Sequence, residues 1–308
     1  MRMEKPVDEL RRIAAQIRID IIKSLAQARS GHSGGSLSAV EILTALYFHQ
    51  MNVFPDDPAN DERDYFVLSK GHVCPALYAV LARAGYFPVE ELLSLRQLGS
   101  RLQGHPCKSK GLPGLEVSTG SLGQGLSIGV GAALGLRHDR KPNRVYVLNG
   151  DGELDEGNIW EAIMSAGHYG LDNLTSIVDN NNLQIDGFLP DVMNLYPLKE
   201  KYLAFNWHVV ECDGHDVADV LRALKEADAN KGKPTVVIAK TTKGKGVSFM
   251  ENEAGWHGKP PSPEQAIQAL RELYEQRREV GGWEGADVEL TPPIIAEELQ
   301  KLDAEFAE

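Results

Sequence analysis

The chain has 308 residues, of which 42% are hydrophobic and 25% charged, and its formal net charge is -12. This composition is ordinary for a globular protein that is long enough to bury a sizeable core. The acidic balance argues against nucleic-acid binding, because neutralising phosphates requires clustered lysines and arginines. The net negative charge does not argue against a phosphorylated substrate, because binding such a substrate needs only a local positive pocket.

The amino-terminal residues lack the apolar core of a signal peptide, and no apolar run approaches the roughly 20 residues of a membrane span. The cysteines, Cys74, Cys107 and Cys212, are odd in number and far apart, which indicates neither a disulfide framework nor a CxxC metal site. We therefore expect a cytoplasmic protein in a reducing compartment that binds neither nucleic acid nor a membrane.

In chain order, apolar residues at helical spacing predict a first helix over 7–31, ending near Gly31, and a second over 37–51. Residues 99–125 are rich in Gly, Ser and Pro and predict a long irregular loop, of a kind that is often functional. Strands, each with its following turn, are predicted at 64–72, 144–152, 174–181, 207–216 and 234–246. Helices between them are predicted at 74–86, 158–171, 198–206 and 217–230.

Alternation of strand and helix predicts an α/β fold with a doubly wound, mainly parallel sheet and helices on both faces. The short strands rich in Val and Ile agree with this, because a sheet covered on both faces buries nearly all its residues. We place one domain at residues 1–260. The pattern changes after that point, and residues 261–308 are expected to form a helical tail with a linker.

Polar clusters follow every predicted strand. They are SKGH, ending at His72, NGDG around Asp151, DNNN around Asn181, DGHD around His215, and TTKGKG around Lys243. In open parallel sheets, ligands bind beyond the carboxyl ends of the strands. The clusters are therefore expected to share one site.

Asp151 is a candidate ligand for a hard cation. Its flanking glycines permit a tight turn whose free amides suit a phosphate. Magnesium prefers oxygen ligands and is often shared between a carboxylate and substrate phosphates, so the amide oxygen of Asn181 and the carbonyl of Leu183 are further candidates. The alternative is an Asx turn in which Asp151 only caps a helix. The asparagine cluster one strand later favours the metal site.

A Gly-Asp-Gly turn followed about thirty residues later by an asparagine pair resembles the thiamine diphosphate motif, which holds magnesium and the cofactor's diphosphate. Further segments resemble those of the transketolase family, in the same order, over about residues 10–260. They are SGHSGGSLSAVEIL, LSKGHVCPALYA, LQGHP, GLEVSTGSLGQGLSIGVGAALG, DNNNLQIDG and GWHGKP. The chain thus resembles the N-terminal, diphosphate-binding (PP) part of a transketolase, with the thiamine diphosphate-binding fold.

The resemblance implies a role for each matching residue. Mg2+, or Ca2+ or Mn2+ in its place, would be held by Asp151, Asn181 and the carbonyl of Leu183. The implied contacts of thiamine diphosphate are His72, Gly120, Leu122, Gly152, Glu156, Asn181 and His257. Glu156 matches an acid that lies near the cofactor at the subunit contact in the family. The implied catalytic histidines, which would line the substrate channel, are His32, His72, His105 and His257.

Histidines suit a sugar substrate because neutral imidazole both donates and accepts hydrogen bonds and titrates near neutrality. Taken alone, each histidine is more often a satisfied structural residue. We keep that interpretation for four of them, His49, His138, His168 and His208. His215 is left undecided. The TTKGKG loop lacks Walker spacing, and for Lys243 and Lys245 a solvated turn is favoured over a phosphate grip.

In the family, a second domain grips the pyrimidine ring of the cofactor and supplies a glutamate. The sequence shows no second sheet pattern, and the acids of the tail, such as Glu297 and Glu298, lack that context. The resemblance therefore implies one subunit of a split transketolase, partnered by a pyrimidine-domain chain in an α2β2 heterotetramer.

The implied reaction belongs to the pentose phosphate pathway. A two-carbon ketol unit passes from a ketose phosphate to an aldose phosphate, with thiamine diphosphate as electron sink. One alternative is the alpha subunit of a 2-oxo acid dehydrogenase, which also carries GDG but is not expected to show the SGH and GHP segments. A deoxyxylulose-phosphate synthase shares SGH but lacks the GHP match. A non-catalytic regulatory subunit is the remaining alternative.

Overall fold

A computed structural model describes residues 2–283 and 288–306. Its strands are β1 (Tyr65–Leu68), β2 (Val145–Gly150), β3 (Leu174–Asn180), β4 (His208–Asp213) and β5 (Thr235–Lys240). Among the described residues these five strands form one sheet in the order β1-β2-β3-β5-β4, and every pairing is parallel. The predicted α/β fold is confirmed, with a sheet that is wholly parallel.

The longer helices lie close to where helical spacing predicts them. The helices are α1 (Val7–Ala28), α2 (Ser33–Ser38), α3 (Val40–Ala45), α4 (Cys74–Arg83), α5 (Gln124–His138), α6 (Gly157–Tyr169), α7 (Leu189–Val192), α8 (Leu198–Ala204), α9 (Val217–Ala229), α10 (Pro263–Val280) and α11 (Ala296–Phe306). α1 ends before Gly31 because Arg29 adopts a left-handed backbone, with φ 49°, and its amide donates to Leu25 and Ala26. The predicted second helix is divided at Ala39 into α2 and α3.

Helices cover both faces of the sheet. On β2, Tyr146 and Leu148 pack on the face occupied by α1, α3, α4, α9 and α10, whereas Val145 and Val147 pack on the face occupied by α5, α6 and α8. This alternation follows from the period of two residues in a strand. Both faces are apolar because neither is left to solvent, which is why the strands are short apolar runs.

The carboxyl-terminal helices join the core on the α1 face. Leu270, Leu273 and Tyr274 of α10 are buried there, and so are Leu299 and Leu302 of α11. These helices therefore contribute to the same core as the sheet. The division at residue 260 stays a prediction.

Within residues 2–283 and 288–306, no helix combines the length and the apolar character that crossing a bilayer requires. The cytoplasmic location stays a prediction.

Leu273→Ala should destabilise the whole fold, because Leu273 is 1% exposed in the core between α10 and α1. We expect the free energy of unfolding, measured by urea denaturation, to fall by about 2–5 kcal/mol. Leu203→Ala is the matched control, since Leu203 is 51% exposed on α8, and should change it by less than about 0.5 kcal/mol. Equal effects of the two substitutions would show that α10 does not share the core.

Candidate active site

The turns that follow β1, β2, β3 and β5 enclose a cavity at the carboxyl edge of the sheet. Residues of the predicted site that line it are His72, Leu122, Asp151, Gly152, Asn181, Leu183 and His257. Because all of these strands run in the same direction, their carboxyl ends meet at one edge. The cavity is therefore built from segments that are far apart in the chain.

The Asp151 carboxyl lies at the end of β2 and is 2% exposed. Its Oδ1 accepts from the Gly152 amide at 2.9 Å, and its Oδ2 accepts from the Asn182 amide beyond β3. Asp151 thus caps the short 3-10 helix at Gly152–Asp155 through the amide of the next residue, and also lines the cavity. Burial and then the nearby Asp179 raise the pKa of Asp151 to about 7.

Two neutral oxygens lie beside this carboxyl. Asn181 Oδ1 accepts from the Leu183 amide at 3.2 Å, and its Nδ2 lies 3.4 Å from Asp179 Oδ1. The Leu183 carbonyl accepts a 3.4 Å hydrogen bond from Lys243. We call the Asp151 carboxyl, the Asn181 amide oxygen and the Leu183 carbonyl the oxygen set. The structure brings its residues together at the cavity, and their role as metal ligands stays a prediction.

The four predicted histidines form one group, which we call the histidine cluster: His32, His72, His105 and His257. The ring of His32 lies 5.0 Å from that of His72, 5.6 Å from that of His257 and 6.2 Å from that of His105, between centroids. The rings of His72 and His257 are 4.9 Å apart. Among the described residues, the buried Nδ1 of His32 has no hydrogen-bond partner.

The histidine cluster is held neutral by its surroundings. Burial, followed by Arg96, lowers the pKa of His32 to about 4. Burial, followed by Lys243, lowers the pKa of His257 to about 3. The pKa of His72 is shifted well downward and that of His105 is also lowered, in both cases chiefly by burial. A neutral imidazole presents one donor and one acceptor.

A buried ion pair braces the cavity floor, and sequence reasoning missed it. Asp179 on β3 is fully buried, and its carboxyl accepts from Lys70, from Ser38 at 2.5 Å and from Thr241. Burial is the largest single influence and would raise the pKa of Asp179, but Lys70 together with the hydrogen bonds from Ser38 and Thr241 outweighs it, and the net shift is downward. The sequence did carry a signal for this pair, because a charged residue lies at the end of an apolar run in both segments: Lys70 in SKGH and Asp179 in VDNNN.

Glu153 was also missed. It lines the cavity at 3% exposure, and its Oε1 accepts from Ser69 at 2.5 Å and from the Gly123 amide at 2.8 Å. Its Oε2 accepts from the Gly150 amide at 3.0 Å. Burial raises the pKa of Glu153. The side chain joins the Gly-Asp-Gly turn to the loop before α5, a contact that sequence spacing does not indicate.

The expectation of a solvated turn is wrong for Lys243. This residue is 2% exposed and lines the cavity, with its Nζ 2.9 Å from His257 Nδ1. Lys245 does match the expectation, because its side chain is 40% exposed and its Nζ lies 3.5 Å from Glu251. Gly244, between the two lysines, has φ +79°, and a Cβ there would lie 2.3 Å from the Met250 carbonyl oxygen. The backbone can follow this path because the residue is a glycine.

The remaining residues singled out in the sequence are Gly120, Glu156 and His215. Gly120 lies against the histidine cluster, since a Cβ there would come within 2.9 Å of the His105 ring. Glu156 is exposed at the start of α6. His215, left undecided by the sequence, contacts Glu41 at 3.1 Å through Nδ1 and accepts from the Thr242 amide at 2.7 Å. His215 therefore joins α3 to the loop after β5.

A family model described as the thiamine diphosphate binding domain of transketolase matches residues 10–281. The chain belongs to the transketolase family. It is 45% identical over 256 residues to one subunit of the apulose-4-phosphate transketolase of Phocaeicola vulgatus, covering 83% of this chain and 90% of that protein. It is 44% identical over 273 residues to the 6-deoxy-6-sulfo-D-fructose transketolase subunit SqwG of a Clostridium species. That match covers 89% of this chain and 98% of the Clostridium protein.

Solved transketolases share the fold. The transketolase from Pichia stipitis superposes with a TM-score of 0.83 at 33% identity, over 98% of this chain and 45% of that protein. The transketolase from Leishmania mexicana superposes with a TM-score of 0.83 at 31% identity. That superposition covers 97% of this chain and 45% of the Leishmania protein. The chain thus spans less than half the length of these enzymes. The predicted thiamine diphosphate-binding fold is confirmed, and so is the assignment to a transketolase subunit.

His32→Gln should reduce the sensitivity of folding to acid. The pKa of His32 is lowered from 6.5 to about 4, chiefly by burial. Between those pH values the unfolded chain binds a proton that the folded chain does not, so the free energy of unfolding falls as pH falls. Urea denaturation near neutral pH and in mild acid should show a smaller decrease for His32→Gln than for the unsubstituted chain. An equal decrease would mean that His32 titrates as in the unfolded chain.

Proposed function

We propose that this chain is the diphosphate-binding subunit of a two-chain transketolase that requires thiamine diphosphate and Mg2+. The observation that carries the proposal is that the residues of the oxygen set line one cavity together with His72 and His257, and that His32 packs beside these two rings and beside His105. The oxygen set suits a cation and a diphosphate, whereas the histidine cluster suits the hydroxyls of a sugar. Family membership supports this combination of groups.

The donors of the oxygen set fit a hard divalent cation. Burial, followed by repulsion from Asp179, disfavours the charged form of Asp151, and a bound cation would offset both effects. In the described parts of the chain, no three His, Cys, Asp or Glu side chains lie close enough to hold a metal. One carboxylate supplemented by neutral oxygens is the arrangement that magnesium adopts when phosphates complete its shell. We propose Mg2+, with Ca2+ or Mn2+ as substitutes.

Gly152 lets the turn after β2 approach the loop after β3 closely. A Cβ at Gly152 would lie 2.9 Å from Gln184 Cβ, so a side chain there would crowd the cavity wall. We propose that the cofactor contacts are Gly152, Asn181, His72, His257, Gly120, Leu122 and Glu156. When bound, thiamine diphosphate supplies the nucleophilic carbon and the electron sink.

We propose that the histidine cluster orients the sugar and moves its protons. The bond between carbons 2 and 3 of the ketose breaks, and the hydroxyl at carbon 3 must lose its proton as the aldehyde forms. A neutral imidazole can accept that proton and later return it to the carbonyl oxygen of the aldose acceptor. His32 is a candidate for this task because its ring packs against those of His72 and His257, both of which line the cavity.

We propose that a second chain with a pyrimidine domain completes the site, in an α2β2 assembly. Relatives of this length are named as subunits, and the solved transketolases are more than twice as long. Glu156 is exposed, which suits a place at the contact between the two chains. The donor would be a ketose with an acidic group, since the relatives' names specify a phosphate or a sulfo group.

The chain mixed with its pyrimidine-domain partner, Mg2+ and thiamine diphosphate should transfer a two-carbon unit to an aldose phosphate. The partner is to be sought first in the adjacent reading frame. Donors to compare are xylulose 5-phosphate, apulose 4-phosphate and 6-deoxy-6-sulfofructose, with products followed by mass spectrometry. Absence of transfer from all ketose donors would sink the proposal, and decarboxylation of a 2-oxo acid instead would favour a dehydrogenase subunit.

Asp151→Ala should weaken magnesium-dependent binding of the cofactor to the two-chain complex by more than tenfold, or about 1.4 kcal/mol. The loss is expected because the substitution removes the carboxylate of the oxygen set. Isothermal calorimetry with and without Mg2+ measures it. Asp191→Ala, an exposed acid on α7, is the control and should bind as the unsubstituted chain does. Unchanged binding by Asp151→Ala would refute the metal assignment.

A further inference from the structure

We propose that Arg96 binds the phosphate group of a sugar substrate, on the side of the histidine cluster formed by His32 and His105. Arg96 is then a specificity-determining residue, because it contacts the substrate away from the bond that breaks. The inference deepens the proposed function and rests on it for the identity of the ligand. The position and the free state of the Arg96 side chain follow from contacts within this chain.

The loop before His105 holds Arg96 in a defined position. Arg96 has a left-handed backbone, with φ 59°, which is uncommon for a residue other than glycine. Its amide donates to the Leu102 carbonyl at 2.8 Å and closes the loop. The Gln103 carbonyl accepts from Tyr78 Oη at 3.0 Å, so the end of the loop is tied to α4. The side chain of Arg96 therefore starts from a fixed point.

Two glycines leave room for the guanidinium beside the histidine cluster. A Cβ on Gly104 would lie 2.7 Å from Arg96 Cζ, so the guanidinium packs directly against this glycine. A Cβ on Gly31 would lie 3.9 Å from Arg96 Nη1. These glycines directly precede His105 and His32 in the chain. The guanidinium therefore lies next to the segments that carry both histidines.

The charge of Arg96 acts on one side of the histidine cluster. After burial, it is the largest influence that lowers the pKa of His32, and it also lowers the pKa of His105. At His72 and His257, which line the cavity with the oxygen set, the charges that lower the pKa belong to lysines and to other histidines. Arg96 thus adds positive charge on the side of His32 and His105 rather than at the oxygen set.

Arg96 has no anionic partner. Its side chain is exposed, and in the described parts of the chain no group accepts a hydrogen bond from its guanidinium. Arg101 in the same loop differs, since its Nε and Nη2 donate to Glu91 at 2.6 and 2.8 Å. A guanidinium presents a planar fork of donors that matches the oxygens of a phosphate. In a chain of net charge -12, this unpaired fork supplies the local positive charge that a sugar phosphate needs.

The donor specificity of the two-chain complex tests this role. With Mg2+, thiamine diphosphate and one aldose acceptor, kcat/KM is measured for xylulose 5-phosphate and for xylulose. Arg96→Gln should lower the ratio of the two values by about tenfold or more, the loss expected for a hydrogen bond to a charged group. Arg96→Lys should lower it by only about threefold, because an ammonium group keeps the charge but not the fork.

Arg101→Gln is the matched control, because it removes the same charge from the same loop. It should change the ratio by less than about twofold, since Arg101 is already paired with Glu91. An unchanged ratio in Arg96→Gln, or an equal fall in Arg101→Gln, would overturn the proposal. If Arg96→Gln fails to fold, Arg96→Lys decides the question, and an unchanged ratio in that variant overturns the proposal.

Titration with inorganic phosphate tests anion binding without the reaction. In the full chain, without Mg2+ or cofactor, phosphate should shift the NMR signals of the His32 and His105 rings, which His32→Gln and His105→Gln assign. Arg96→Gln should abolish these shifts. Their absence from the unsubstituted chain, or their persistence in Arg96→Gln, would overturn the proposal. A complex that transfers nothing from any ketose counts against the proposed function, whereas the titration still decides whether Arg96 binds phosphate.

Discussion

Parallel pairing of β1, β2, β3 and β5 is the constraint on which the rest of the structure depends. Each parallel connection must return through a crossover, so every strand of this set ends at the same edge of the sheet. Asp151 after β2 and Asn181 after β3 therefore face one cavity. An antiparallel strand in place of either would have carried its polar turn to the opposite edge, away from the histidine cluster.

Charges buried at this edge control the chemistry of the cavity. Lys70 compensates Asp179, and the hydrogen bonds of Glu153 hold the turns on either side. Little water reaches these groups, so each charge acts strongly on its neighbours. Burial, reinforced by Arg96 at His32 and His105 and by nearby lysines and histidines at His72 and His257, lowers the pKa of each ring in the histidine cluster. The Asp151 carboxyl forms no ion pair with the described residues. Under the proposed function, the cavity receives a cation, an anion and a set of hydroxyls together.

The relation between the chain and longer transketolases is consistent with this arrangement. The chain spans about 45% of the solved enzymes and superposes on them over nearly its full length. Under the proposed function, it contributes the side of the site that holds a diphosphate and a sugar. Under the proposed function, recognition of the pyrimidine ring belongs to the partner. The exposed position of Glu156, at the start of α6, agrees with a contact between the two chains.

Much of the candidate site could be predicted from the sequence, because its parts are short motifs at strand ends. The Gly-Asp-Gly turn and the asparagine run are recognisable by residue type and spacing, and the parallel direction of the strands places both at one edge. Lys70 and Asp179 were missed because an ion pair across 109 positions has no local pattern. Lys243 was assigned to solvent because a lysine between glycines has the composition of an exposed turn.

The sequence by itself determined the order of strands and helices, the parallel sheet, the family and the identity of the predicted site residues. These properties depend on local periodicity and on motifs that each lie within a few residues. Only the tertiary structure decided which charges are buried, which side chains pair, and that Lys243 faces the cavity while Lys245 faces solvent. Burial and pairing depend on which distant segments pack over a residue, and no pattern in the residue's own segment encodes them.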